Sequence, residues 1–424
     1  MRVLWLVNLI LPAYAEAKGL PHSEREGWLS GLYRAVRNEA PENIELAVAF
    51  PLPADASLPA CDEWDGTRWY GFHEDLTHPE RYDAHMEEEF AGILADFRPD
   101  IVHVFGTEFP HTLACLKALK DPARALIGIQ GLCRGIAENY MAGIPAKVQK
   151  EVTFRDLVRG DSLAKQQEKF RKRAARETGA LLMAGHLTGR TDYDRKCTTA
   201  INPAAVYHPM NETLRAEFYE GQWNRAEAQP HRIFLSQGDY PLKGFHYVLQ
   251  AMPALLKDYP DTRLIVAGQS VIGGDGRRIP LFLRIGAYGK YLRKLITELN
   301  LWEHVEMAGR LDAARMKEEY LRASVFVCPS EIENSPNSLG EAMLLGTPVV
   351  ASRTGGIPSL LADGREGILT EPGDIEALAH AIRQTWEEPV ITDVYCENAR
   401  KRARVTHDPA TNLNTLLAIY GEMT

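Results

Sequence analysis

Two kinds of apolar pattern alternate along the chain. Short runs with the length and composition of buried strands are Val3 to Val7, Ile44 to Phe50, Ile101 to Phe105, Ala125 to Ile129, Gly179 to Ala184 and Ala204 to Tyr207. Between several of them apolar residues recur at helical spacing. From Gly27 onward, after a polar loop from Pro12 to Glu26, the residues Leu29, Leu32, Tyr33 and Val36 share one face. A second series opens at Ile233, with strand IFLSQ, turn GDYPLKG, helix FHYVLQAMPALLKDYP and strand RLIVAG. Alternation of this kind predicts parallel sheets with helices on both faces. The stretch Val206 to Arg232 has little periodicity and reads as a linker. The expected organisation is therefore a first domain over 1–208, a second over 209–397, and a helical tail over 398–424 that returns to the first.

The densest pattern runs from Val325 to Gly367. Val325 to Cys328 predicts a strand that Pro329 ends, a polar loop follows, and SLGEAMLLG predicts a helix with Ser338 as N-cap and Glu341 in capping-box register. Gly346 closes that helix and Pro348 prevents its return. A helix entered from the carboxyl end of a parallel strand turns its free N–H groups toward the ligand crevice of an α/β sheet and attracts an anion. Two carboxylates, Glu333 and Glu341, flank that position. Carboxylates are pure acceptors and suit hydroxyls rather than phosphate. A nucleotide-sugar offers both: two sets of hydroxyls separated by a diphosphate.

The Glu333 and Glu341 pair, followed by EAMLLGTPVVAS, the glycines Gly355 and Gly356, and GREGILTEPGD, resembles the signature of family 4 retaining glycosyltransferases. That resemblance implies the GT-B architecture, an α/β fold of two Rossmann-like parallel-sheet domains facing a central cleft. It implies sugar transfer from a nucleotide-sugar, with a UDP-sugar favoured over a GDP-sugar, to a glycan or polyprenyl-linked acceptor in surface polysaccharide or glycoconjugate synthesis, and neither cofactor nor metal. Residue by residue, Glu341 is expected to hold ribose and Glu333 the sugar hydroxyls. Lys243, before Gly244, is expected to neutralise the diphosphate together with the N–H groups of Asn337, Ser338 and Leu339. Gly27 matches the first-domain loop that approaches the donor. Where the family commonly has an arginine this chain has Gln237, so a second cation would come from Arg190, Arg278 or Arg310. Asn334, Ser335 and Pro336 replace glycines of the pattern.

Acceptor-side candidates come from two strand ends of the first domain: Thr107, Glu108 and His111 after one, Gln130 and Arg134 after the other. The family usually carries a histidine near Gln130, and an amide there removes an ionisable group. That departure, with Gln237, supports an alternative reading as a catalytically silent nucleotide-sugar-binding scaffold. A phosphorylase would need a pyridoxal-binding lysine constellation that the sequence lacks. The only DxD, Asp192 to Asp194, reads as a solvated pair of loop acids.

Composition narrows the picture. A chain of 424 residues fits two α/β domains. Its net charge of -9 argues against a nucleic-acid partner. Six scattered cysteines without metal-ligand spacing read as free thiols in the cytoplasm. Met1 to Ala15 reads as a strand rather than a signal peptide, and no apolar stretch is long enough to span a bilayer. Against the acidic whole, Lys147 to Arg176 carries ten Lys or Arg and four Asp or Glu. This segment reads as a solvated helical face, or as a face that meets anionic lipid at the inner side of a membrane. GxGxxG and Walker A patterns are absent, which leaves nicotinamide and P-loop readings unsupported.

Overall fold

In the computed structural model the described residues are all but 21–26, 40–42, 53–60 and 274–279. They form two units: 1–137 with 169–213 and 407–424, and 138–168 with 214–406. Each is built on one sheet.

The first unit's sheet contains β1 (Arg2–Leu6), β2 (Glu45–Leu52), β3 (Cys61–Trp64), β4 (Thr67–His73), β5 (Ile101–Phe105), β6 (Ala125–Gly128), β7 (His186–Gly189) and β8 (Val206–Pro209). Their order is β3-β4-β2-β1-β5-β6-β7-β8, parallel except for β3. The second holds β9 (Arg232–Leu235), β10 (Arg263–Ala267), β11 (Val305–Gly309), β12 (Val325–Cys328), β13 (Val349–Ser352) and β14 (Ile368–Thr370), in the order β11-β10-β9-β12-β13-β14, all parallel. In both sheets the strand order reverses once, between β1 and β5 and between β9 and β12. Such a reversal opens a crevice beyond the carboxyl ends of the two strands, where α/β sheets take ligands.

Several sequence expectations change. Gly179 to Ala184 is not a strand, because the helix Leu163–Met183 runs through it and β7 starts only at His186. The segment GALLMA lacks the β-branched residues a strand favours, and helix formers carry the pattern on. The loop after β1 includes a helix, Pro12–Ala17, while residues 21–26, just before Gly27, lie outside the described set. Gly27 itself opens the helix Gly27–Glu39. The expected linker begins inside β8, and Phe218 and Trp223, farther along it, are core residues. Residues 138–168, placed by sequence in the first domain, belong to the second unit. The buried Asp156 carboxylate explains this by accepting from Thr153 N (3.1 Å) and Ala287 N (3.0 Å), while Thr153 Oγ1 donates to Ile285 O (3.1 Å).

The tail is two helices, Pro389–Thr406 and Pro409–Met423, and the second packs into the first unit's core. There Trp5 Nε1 donates to Tyr420 Oη (2.8 Å), and Tyr420 Oη lies 2.7 Å from His103 Nδ1. A consistent proton arrangement runs Trp5 to Tyr420 to His103, with the imidazole neutral and accepting at Nδ1. Burial pushes the His103 imidazole down to about 3.

Tyr420→Phe strands the indole donor and the imidazole acceptor together. The expected loss is roughly 2 to 4 kcal/mol of first-unit stability by urea unfolding. His103 also makes that stability pH-dependent. Unfolding restores a value near 6.5, so the unfolded state binds the extra proton, and stability falls as pH drops from about 6.5 toward 3, by about 1.4 kcal/mol per pH unit for this one group. His103→Gln should flatten that slope in unfolding curves recorded between pH 7 and pH 5.

Candidate functional site

The crevice of the second unit is lined by the turn after β9 and the loop after β12. The first turn carries Gln237 and then a short 3-10 segment, Pro241–Lys243, ended by Gly244 with φ of 68°. A Cβ on Gly244 would lie 2.0 Å from Pro329 O, so the two loops touch where only glycine fits. This approach brings Lys243 to Glu333. Lys243 Nζ donates to Glu333 Oε1 (2.6 Å), Ser330 Oγ donates to the same oxygen (2.7 Å), and the two charged side chains retain 18% and 12% exposure. Burial is the largest single influence and works against the ammonium charge, but the attraction of Glu333 and Tyr240 and the hydrogen bond to Glu333 together outweigh it and the Lys243 value is raised. Glu333 is also fixed through its backbone. Its carbonyl accepts from Gly356 N (2.9 Å), and a Cβ on Gly355, at φ 51°, would stand 1.9 Å from that oxygen.

The helix that follows is Asn337–Leu345. The expected N-cap at Ser338 is corrected: Pro336 holds the N-cap position and no side chain caps the helix, so Ser338 is its second residue and Glu341 its fifth. Without a capping box, Glu341 is free for another partner. Arg215 supplies it, donating from Nε (2.9 Å) and Nη2 (2.7 Å) to Oε1, while Tyr320 Oη reaches Ser338 O (3.0 Å) and Glu341 Oε2 (3.4 Å). Burial raises the Glu341 carboxyl and the Arg215 guanidinium opposes it. With no side-chain cap, this helix N-terminus retains the polarity that attracts an anion, and Leu339 N approaches Pro336 O (3.0 Å). In the loop before the helix Ser335 Oγ is buried with no hydrogen-bond partner among the described residues.

Arg310 lies on the loop after β11, at the sheet edge, where Nη2 reaches Gln269 Oε1 (3.3 Å). Gln237 Cγ sits near Gly268 on the loop after β10. The alternative cation Arg278 is outside the described residues.

The remaining candidates belong to the first unit. Arg190, after β7, is buried with Nη1 2.8 Å from Glu212 Oε2, and Gln130, after β6, donates from Nε2 to Glu212 Oε1 (2.6 Å). Gln130, Arg190 and Glu212 line one pocket with Trp28 and Met210. Glu108 follows β5 at the strand-order reversal, and burial raises its carboxyl. His111 is fully buried in the helix Pro110–Leu119, between Glu74 Oε2 (2.8 Å) and Asn8 Oδ1 (3.1 Å), with no surface left for an acceptor. Thr107 Oγ1 donates to Glu177 Oε1 (2.7 Å), and burial pushes the Glu177 carboxyl up to about 7. Asp192 and Asp194 are not a solvated pair. Asp194 is buried in a capping box with Thr191 and accepts from the backbone N–H groups of Arg190 and Thr191 (3.1 Å each).

Sequence reading missed Arg215, Tyr320, Ser330, Glu177 and Glu212. Ser330 alone left a local signal, three residues before Glu333 in the same loop.

Comparison with known proteins comes to the same region. Residues 217–404 match the family described as Glycosyl transferases group 1. A GDP-mannose-dependent alpha-(1-6)-phosphatidylinositol monomannoside mannosyltransferase of Mycolicibacterium smegmatis is 28% identical over 156 residues, 35% of this chain and 37% of that one. The chain's matches to this and other curated relatives span a third to less than half of their length. Among solved structures, a sucrose-phosphate synthase of Thermosynechococcus elongatus superposes with a TM-score of 0.69 at 17% identity, over 100% of this chain and 99% of that one. Anabaena HepE in complex with UDP-glucose gives 0.64 at 16%, over 99% and 100%. At such identities the likeness is one of fold, the GT-B fold.

The Lys243 and Glu333 ion pair should couple in a double-mutant cycle. With Lys243→Met and Glu333→Gln measured singly and together by chemical unfolding, the expected interaction is roughly 1 to 3 kcal/mol, between exposed and fully buried pairs. Simple additivity would mean that the contact contributes nothing to the second unit.

Proposed function

We propose that this chain, whose residues 217–404 match the family described as Glycosyl transferases group 1, is a retaining glycosyltransferase. It moves a sugar from a nucleoside diphosphate sugar, a UDP-sugar before a GDP-sugar, to a glycan or lipid-linked acceptor. The observation that carries this reading is the Lys243 contact with Glu333 (2.6 Å) in the loop that leads to an uncapped helix N-terminus. One cation and a set of aligned N–H groups suit a diphosphate, and two nearby carboxylates suit the hydroxyls on either side of it.

In this reading Glu341, steadied by Arg215, accepts from the ribose. Glu333 accepts from hydroxyls of the transferred sugar. Lys243, drawn toward the diphosphate, stabilises the charge that grows as the bond from the anomeric carbon to the phosphate oxygen breaks. The acceptor oxygen bonds to that carbon on the same face, its proton passes to the departing phosphate oxygen, and the nucleoside diphosphate leaves. No protein nucleophile and no metal are required. The Gln130 amide, engaged by Glu212 rather than ionisable, favours the second reading, a scaffold that binds the donor without turnover.

Calorimetric titration separates the two acids. Glu341→Ala should weaken nucleoside diphosphate and nucleotide-sugar alike by roughly 1.5 to 3 kcal/mol, whereas Glu333→Ala should leave nucleoside diphosphate affinity nearly unchanged while turnover falls. Equal losses of nucleotide affinity would place both acids in one subsite and defeat the assignment. Turnover itself is read as slow release of nucleoside diphosphate from the donor, with EDTA leaving the rate unaltered. A folded protein that binds donor and releases none, with or without candidate acceptors, would establish the scaffold.

A further inference from the structure

Large apolar side chains are exposed together on the second unit. Val152, the helix Phe154–Arg159 and the 3-10 turn Leu281–Leu283 present Leu157 (71% exposed), Val158 (69%) and Phe282 (60%), with Phe154 and Leu281 beside them. Phe154 and Phe282 meet edge to face at 5.8 Å between ring centroids, so the two segments form one surface rather than separate exposures. Isolated exposed apolar residues are ordinary, but a contiguous patch of rings and aliphatic chains marks a contact surface.

The fold holds this patch in place. Asp156, on the inner side of the same short helix, closes a capping box with Thr153 and also takes the N–H of Ala287, four residues beyond Leu283. Glu151, next to Val152, pairs with Lys290. The outward residues are thus mounted on a rigid platform.

Charge identifies the occupant. Of the ten bases between Lys147 and Arg176, five lie in the second unit, where they face four acids, in a chain of net charge -9. Three of those acids are already matched within the second unit: Glu151 by Lys290, and Asp156 and Asp161 by Arg155. Lys147, Lys150, Arg159 and Lys165 stay exposed around the apolar residues in sequence. Not every base contributes, since Arg173 Nε donates to Glu108 O (2.7 Å) and Arg176 donates to Pro79 O (3.2 Å) in the first unit. An apolar centre with a basic margin is complementary to a bilayer surface with anionic headgroups, aliphatic and aromatic side chains entering among the acyl chains while lysines and arginine stay at the headgroups.

We propose that the patch formed by Val152, Phe154, Leu157, Val158, Leu281 and Phe282 docks the second unit on an anionic lipid surface. This places the contact at the short helix Phe154–Arg159 and the turn Leu281–Leu283, rather than along the whole basic run. It deepens the lipid-linked branch of the acceptor reading, and depends on that reading only for what the docking serves.

Flotation with phosphatidylcholine vesicles, with and without phosphatidylglycerol, tests it on the full chain. The protein should float with the mixed vesicles, stay behind with phosphatidylcholine alone, and be released as added salt shortens the screening length. Leu157→Asn with Val158→Asn, at side chains that make little of the fold, should reduce the bound fraction roughly tenfold or more. Lys147→Gln with Lys150→Gln and Arg159→Gln should weaken binding and remove most of its salt dependence. Equal flotation of wild type and the Asn variant would overturn the proposal. So would failure of the wild type to float, or a dimer in light scattering that the Asn variant converts to monomer, since the patch would then be a contact between copies. Nucleoside diphosphate titration of the same variants should be unchanged. Loss of vesicle binding with donor binding intact therefore bears on the patch alone, and absence of donor binding in the wild type bears on the transferase reading alone.

Discussion

Glu333 is the residue at which the second unit's site is tied together. Its carboxylate takes the ammonium of Lys243 from the β9 side and the hydroxyl of Ser330 from its own loop, and its carbonyl takes Gly356 from the turn after β13. Three connections are thereby fixed at one point, each leaving the carboxyl end of a different strand. The constraint reaches into the sequence. Gly355 cannot carry a side chain because the Glu333 carbonyl fills the space, and Gly244 cannot because Pro329 does. What looks like a scatter of small and charged residues over a hundred positions is the requirement that two loops cross at van der Waals distance beside a strand-order reversal.

Arg215 gives the neighbouring acid a different character. Glu333 is partly exposed and shares its charge with a lysine on a short turn, a contact that a phosphate can compete for. Glu341 is nearly enclosed, held by both donors on one edge of a guanidinium and approached by a tyrosine. One acid is positioned to exchange partners and the other to keep its place. That difference is what the proposed roles of the two acids require, Glu333 beside the breaking bond and Glu341 on the nucleoside.

How much of this the sequence disclosed depends on how local the cause was. Strands β1, β2, β5 and β12 were legible because buried parallel strands are continuous apolar runs, and the Lys243-Gly244 turn and the acid pair were legible because each lies within a few residues of the element that positions it. The hairpin of β3 and β4 was missed although Asp65 and Gly66 both adopt positive φ in its turn, a dipeptide that signals such a hairpin. Ser338 was misplaced because a capping box and an ordinary second-turn glutamate have the same spacing, and only the distant Arg215 decides between them. The assignment of 138–168 to the second unit could not be read at all. It rests on Asp156 meeting the Ala287 N–H across 131 residues, and no pattern within either segment announces the other.

The bond from Trp5 to Tyr420 spans 415 residues. During synthesis β1 leaves the ribosome well before the residue that satisfies its indole, which is made 415 positions later. At typical elongation rates of 5 to 20 residues per second the wait is on the order of 20 to 80 seconds. Over that interval the second unit's sheet, complete by Thr370, has all of its strands available, while the first still exposes the apolar face that the helix Pro409–Met423 will cover. The first unit, begun before the second, is therefore finished after it, and a nascent chain stalled after Thr406 would carry a complete second unit attached to an open core.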